Sequence, residues 1–190
     1  TLKEEALTQD EKTIRDWGLV LLIGECGLKS TEASHLTWGD IWLEENSVQK
    51  DKKYGGSLRV PGANERLVPF SHELKAALDM LQEARSRLCL ASNLRDKLFF
   101  GFHNITRLSP SPALHRHGIK FVLYEVCQRV LNIPYNSESL RNHAIMSWVE
   151  QNLSNEKVAE LAGYSSLNSL ERFLQTSRAK RQPGRKLNKK

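Results

Sequence analysis

The chain lacks any apolar run near the roughly 20 residues needed to cross a membrane. Its longest, Leu19 to Ile23, suits a buried helix. No signal peptide is visible, and a chain opening on Thr1 is expected to be part of something longer. Cysteine is scarce: Cys26, Cys89 and Cys127 are far apart, odd in number and outside any metal-ligand spacing. They read as three buried thiols in a reducing cytoplasm rather than a disulfide framework or a zinc cluster. There is no internal repeat, and no low-complexity stretch apart from the C-terminal end. Acid vanishes there, because Arg178 to Lys190 holds seven basic residues and no carboxylate. The 190 residues carry a formal charge of +6, so most of the excess lies in that arm, whose chemistry suits a polyanion such as a phosphate backbone. Apolar residues at 39% and charged residues at 26% place the rest among folded chains with a sizeable core.

Periodicity predicts a mainly α chain with a small antiparallel β-sheet, an α+β domain over residues 1–177 followed by a basic tail over 178–190. Thr8-Gln-Asp-Glu11 reads as a capping box opening a helix with Ile14, Trp17, Leu21 and Leu22 inward. Gly27 stops it, and a second helix is expected from Ser30 or Thr31 to about Trp38. Gly55-Gly56 and Gly62-Ala-Asn64 are turn signals around the strand pieces Leu58–Val60 and Leu67–Phe70. Ser71 caps a long helix with Leu74, Leu78, Leu81 and Leu88 on one face. Ser109-Pro-Ser-Pro112 ends a loop, with Pro112 in the first turn of a helix that buries Ile119, Val122, Leu123 and Val126. Ser137 and Ser154 cap two further helices, Gly163 ends the second, and a last helix follows Ser166. Trp38, Trp148 and Tyr124 are expected in the core, with Tyr135 as a packing or capping neighbour. His115-Arg-His117 reads as a solvated helix start, because no acid or cysteine stands at ligand spacing; no metal or other cofactor is expected.

Three blocks, in order, carry a resemblance. The first is Gly27-Leu-Lys-Ser-Thr-Glu-Ala-Ser-His-Leu-Thr-Trp-Gly-Asp-Ile41, and the second is Glu65-Arg-Leu-Val-Pro-Phe70. The third is Ser139-Leu-Arg-Asn-His-Ala144, then Ala162-Gly-Tyr-Ser-Ser166, then Phe173. Together they resemble the catalytic domain of the tyrosine recombinase (phage integrase) family from Thr8 to Phe173. The resemblance implies a chemistry in which a tyrosine oxygen attacks DNA phosphorus while two arginines clamp the phosphate oxygens. A lysine from a sheet turn then protonates the leaving oxygen.

Carried over position by position, that machinery is degenerate. Lys29 stands for the first arginine and keeps charge without the bidentate fork, whereas Arg141 keeps the second. Glu138 replaces the histidine before it, Tyr164 replaces the later histidine, and Phe173 replaces the nucleophile. A phenyl ring has no hydroxyl with which to attack. The sheet lysine has two registers, one giving Pro61 and the other Lys52 or Lys53. Arg141 is expected either to bind phosphate or to pair with Glu138 one helical turn earlier. Arg66 is expected to contact DNA or to be a solvated strand residue.

The residues therefore predict a protein that binds double-stranded DNA without cutting it, a regulator or accessory factor of a mobile element in the cytoplasm on the nucleoid. Phosphate contacts fall to Lys29, Lys52, Lys53, Arg66, Arg141, Arg172, Arg178, Lys180, Arg181, Arg185 and Lys186. The resemblance also implies that the segment beyond Phe173 docks on a neighbouring subunit, giving homo-oligomers on DNA. Two alternatives are a divergent but active recombinase, with Tyr164 as its phenol, and an interaction module without DNA contact. Locally, Val158 to Phe173 is also similar to the helix-turn-helix of AraC-type regulators, which would aim Ser166, Asn168, Ser169 and Arg172 at bases.

Overall fold

A computed structural model describes residues 2–7, 10–43, 54–102, 110–133 and 135–181, with side chains described through 177, Pro110 excepted. Helix α1 (Leu2–Ala6) leads into α2 (Glu11–Cys26), the axis of the fold. α2 is buried nearly all round, with Ile14, Leu19, Leu22 and Ile23 inaccessible, and it packs against α1, α4 (His72–Arg87), α5 (Arg116–Leu131) and α6 (Ser137–Glu150). Its wall includes charge: Arg15 and Asp16 are both buried, with Arg15 Nε donating to Asp16 Oδ1 at 2.8 Å and its guanidinium lying 5.5 Å from the Phe102 ring. The cap is Asp10, whose carboxylate accepts from the Thr13 amide at 2.9 Å, rather than Thr8, which lies outside the described residues along with Ser109.

The second helix is shorter than its sequence suggests. α3 (Ser30–His35) stops because Leu36 and Thr37 are drawn into tertiary pairing. The Leu36 carbonyl accepts from the Leu98 amide at 3.0 Å, and Thr37 bridges to Lys97. Trp38–Asp40 then form a 3-10 turn that Asp40 closes onto the Thr37 amide and hydroxyl.

Strands β1 (Ile41–Leu43), β2 (Gly56–Val60) and β3 (Arg66–Phe70) form an antiparallel sheet in that order, with Leu58 opposite Val68. Alternation buries Leu58, Val60, Val68 and Phe70 and turns Leu67 outward. Gly56 is a strand residue rather than a turn: a Cβ there would meet the Phe70 ring at 2.6 Å and the Trp42 carbonyl at 2.5 Å. A two-stranded ribbon, β4 (Gly101–Phe102) with β5 (Pro110–Ser111), precedes α5. Helices α6, α7 (Asn155–Ala162) and α8 (Leu167–Arg181) close the domain, and α8 runs past Ser177.

Four further expectations are corrected. Pro112 lies ahead of α5 rather than in its first turn, which begins at Arg116 after His115. Asn136, not Ser137, caps α6 through a bond from the Ser139 amide at 2.9 Å. Cys89 is exposed, in the left-handed region just past α4. Tyr124 is 48% exposed, because the buried positions Ile119, Val122, Leu123 and Val126 define the opposite face of α5. The expected cores of α4 and α5 are otherwise present, and Trp38 and Trp148 are partly buried against the main cluster. A second, smaller cluster joins Ile145, Val158, Ala162, Leu170 and Leu174 across α6, α7 and α8.

Two glycines near the end of α2 should respond oppositely to alanine. Gly24 has nothing within 4 Å of an added Cβ, so Gly24→Ala in the helix should stabilise by about 0.5–1 kcal/mol. Gly27 has φ 61° and a Cβ there would lie 2.7 Å from the Trp148 ring, so Gly27→Ala should cost about 1–3 kcal/mol. Urea unfolding of both variants measures the pair, and effects of the same sign would contradict it.

Candidate functional site

α7 ends among cations. The last four carbonyls of any helix lack internal partners, and here each is accounted for. Ala159 O accepts from the Tyr164 amide at 2.9 Å and Glu160 O from the Gly163 amide at 3.0 Å. Leu161 O accepts from Arg66 Nε at 2.8 Å, and Ala162 O from an Arg141 guanidinium nitrogen at 2.7 Å. Asn64 Nδ2 adds a bond to Gly163 O at 3.1 Å. Positive groups at this end also suit the helix dipole. Gly163, with φ 66°, leaves room for this arrangement; a Cβ there would come 2.5 Å from an Arg66 nitrogen.

The same two arginines reach the start of α3. Arg66 holds Glu32 in a bidentate pair, both bonds 3.0 Å. Glu32 Oε2 also accepts the Lys29 amide at 2.8 Å, which closes the first turn of α3. The other Arg141 branch donates to the Gly27 carbonyl at the end of α2. Burial pushes the Glu32 carboxyl up, but the bonds from Arg66 and the Lys29 amide outweigh it and hold the group below its usual range. Two buried guanidiniums thus face one carboxylate, leaving excess positive charge inside the domain.

Aromatic rings extend the cluster. The Tyr164 ring lies 5.7 Å from the Arg141 guanidinium carbon, and the Phe173 ring lies 6.5 Å from that of Tyr164, tilted by 36°. Burial raises the Tyr164 phenol above its ordinary value despite the opposing pull of Arg141, so it is neutral at physiological pH. Phe173 is half-buried against the second cluster.

Of the positions the family resemblance singled out, Arg141, Tyr164 and Phe173 are consecutive neighbours in space. Lys29 is exposed at the α2–α3 corner beside the Gly27 carbonyl that Arg141 holds. Glu138 is exposed one turn ahead of Arg141, near enough to raise the Tyr164 phenol slightly. Two expectations change. Arg141 does not pair with Glu138; it donates to two carbonyls, shares a hydrogen bond with the Tyr164 phenol, and is 3% exposed. Arg66 is no solvated strand residue; it is 6% exposed and its guanidinium is engaged by Glu32 and Leu161. Arg172 is exposed on α8. Lys52, Lys53, Arg185 and Lys186 lie outside the described residues, as do the side chains of Arg178, Lys180 and Arg181.

Glu32 and Asn64 are the members of this cluster that the sequence reading left without a role. Glu32 carried one usable signal, an acid three residues after the corner at Lys29, the spacing that lets a carboxylate return to a helix start. Among the described residues no three histidine, cysteine, aspartate or glutamate side chains gather as a metal site, and no helix is long and apolar enough to cross a membrane.

No family model matches the sequence, and no curated protein matches it. Solved structures do. The crystal structure of XerA recombinase superposes with a TM-score of 0.66 at 15% identity, over 95% of this chain and 60% of that one. XerH site-specific recombinase, bound to its difH substrate in a pre-cleavage complex, gives 0.63 at 19% identity, over 90% of this chain and 46% of that one. The Tn1549 transposon integrase in complex with a circular intermediate DNA gives 0.51 at 14% identity, over 86% and 56%. The fold is that of a tyrosine recombinase catalytic domain, and the chain spans between 46 and 60% of the length of these three proteins.

Removing the carboxylate from the cluster should be costly. Glu32→Gln leaves Arg66 buried without its counter-charge, at a cost of about 3 kcal/mol at neutral pH. The depressed carboxyl stabilises the fold fully above its ordinary value of 4.5, and that contribution is lost as pH falls through the lower folded value. The stability gap between wild type and Glu32→Gln, measured by denaturant unfolding, should therefore narrow in acid. A gap of equal size in acid and at neutral pH would overturn this account.

Proposed function

We propose that this domain binds duplex DNA and does not cut it. The observation that carries the reading is the ring order Arg141, Tyr164, Phe173. The position from which a recombinase-type nucleophile would act holds a phenyl, next in line after the aromatic on the retained arginine. A phenyl cannot form the covalent bond to phosphorus on which that chemistry depends. Both buried arginines are also engaged by protein atoms, whereas transition-state stabilisation needs donors aimed at the phosphate oxygens. Affinity would come from Lys29 at the exposed corner, from Lys52 and Lys53 between β1 and β2, and from the basic run after Ser177. Such contacts position the duplex without specifying sequence. Arg66 is left out of this set because its guanidinium is occupied. The role that fits is a regulator or accessory factor of a mobile element, acting on the nucleoid in the cytoplasm and assembling through its C-terminal segment.

One observation favours a second reading, an active but divergent recombinase. Tyr164 is a phenol lying on Arg141, and a local rearrangement would bring its oxygen to a phosphate. Its raised, neutral phenol argues against an activated nucleophile.

Incubation with a nicked suicide duplex separates the two. No adduct that survives SDS should form; an adduct that disappears in Tyr164→Phe would identify the phenol and overturn the first reading. Duplex affinity should fall steeply with salt, and deleting residues 178–190, with seven basic side chains, should reduce the log–log slope by as much as about 6. An absence of binding even at low salt would favour an interaction module instead.

A further inference from the structure

We propose that α7, its turn and α8 form a helix-turn-helix in which one face of α8 reads base edges in the major groove. The inference rests on the duplex-binding reading above and adds where sequence would be read. Three observations carry it. α7 spans eight residues, Gly163 takes the left-handed conformation at its end, and α8 begins at Leu167, so a short glycine-containing turn joins the two helices. Leu161 seats α7 in the main core, whereas α8 packs through the second cluster. Leu170 and Leu174 of α8 close onto Val158 and Ala162 of α7 and Ile145 of α6 in the second cluster.

That packing fixes which side of α8 is left over. Asn168, Glu171, Arg172, Gln175 and Thr176 are all exposed, at spacings of three, four, seven and eight residues from the first, which is a single helix face. Among the described residues, the side chains of Asn168, Glu171, Arg172 and Gln175 enter no hydrogen bond or ion pair. Thr176 donates its hydroxyl to the Arg172 carbonyl at 2.9 Å, which leaves its methyl free to face outward. A merely solvated face would favour lysine and glutamate, both strong helix formers; asparagine and threonine are weaker ones. The types present are those that match base edges: arginine to guanine, asparagine and glutamine to adenine, glutamate to the cytosine amino group, and a threonine methyl to that of thymine. From Asn168 to Gln175 the helix rises about 10 Å, roughly the height of three base pairs.

Charge fits the same occupant. After Glu171 the chain carries no further acid, and Arg178, Lys180 and Arg181 continue α8 itself. A helix that presents amides and one arginine near its start and basic residues toward its end suits a groove floor flanked by phosphates.

The test is selection from a randomised duplex library with the whole chain, followed by affinity measurements on the enriched duplex and on random duplex. Wild type should enrich a short motif of about three or four base pairs. Asn168→Ala with Gln175→Ala should weaken the enriched duplex roughly tenfold more than random duplex, as expected for lost base contacts. Arg172→Ala should relax preference at one position of the motif. Circular dichroism should show the fold retained, since all three residues are exposed. Enrichment of the same motif by the triple variant would overturn the assignment of this face. Binding of random duplex by wild type with no enriched motif would overturn the inference while leaving duplex binding intact. No binding of any duplex would defeat both.

Discussion

The end of α7 is where this domain is tied together. Arg66 and Arg141 arrive from β3 and α6, and their guanidiniums take the carbonyls of Leu161, Ala162 and Gly27 while Arg66 also grips Glu32. Five pieces of structure meet there: the end of α2, the start of α3, β3, α6 and the end of α7. Burying two guanidiniums is expensive unless their donors are matched. Here a bidentate carboxylate and the negative end of a helix dipole supply that match, and leaving one donor unmatched would expose the full desolvation cost. The cluster also joins the main core, centred on α2, to the smaller one under α8.

The same bonds constrain what the site can do. A phosphoryl-transfer site needs guanidinium donors directed outward, at the place where charge builds up. In this chain the described bonds of Arg66 and Arg141 run to the protein's own carboxylate, carbonyls and the Tyr164 phenol, so those donors are already engaged. Their charge still attracts a polyanion. Beside it stand a neutral phenol and a phenyl ring, neither of which offers an ionised nucleophile. Binding and chemistry are separable demands on a fold, and the binding-only role proposed above needs just the first.

Much of the architecture was legible because local rules and tertiary packing agreed. The serine caps of α4 and α7, the left-handed glycine at 163, the strand pairing around Leu58 and Val68 and the buried face of α5 all follow from short-range pattern. The misreadings have two causes, distant partners and helix periodicity. α3 is cut short by pairing with residues near 98, which no window around Trp38 contains. Tyr124 has apolar sequence neighbours but points away from them. Arg66 looks like any strand arginine until its two partners, 34 and 95 residues away, are in place. Three positions picked out by family resemblance, Arg141, Tyr164 and Phe173, lie side by side, but their bonding was not legible. Which of two carbonyls or one carboxylate a buried guanidinium selects depends on where distant helices end.

The recombinase frame makes Phe173 a vacated nucleophile, whereas a helix-turn-helix over the same segment makes it ordinary packing. Helix geometry removes the conflict. Successive residues of α8 are turned by about 100°, so Arg172 and Phe173 address different surroundings. Phe173 turns toward Tyr164 and the second cluster, while Arg172 shares the solvent face with Asn168 and Gln175. A tyrosine at 173 would be confined to serving the inner face. On the reading proposed above, a bare ring at 173 leaves the inner face to packing, and the side of α8 that faces water is the one available to a duplex.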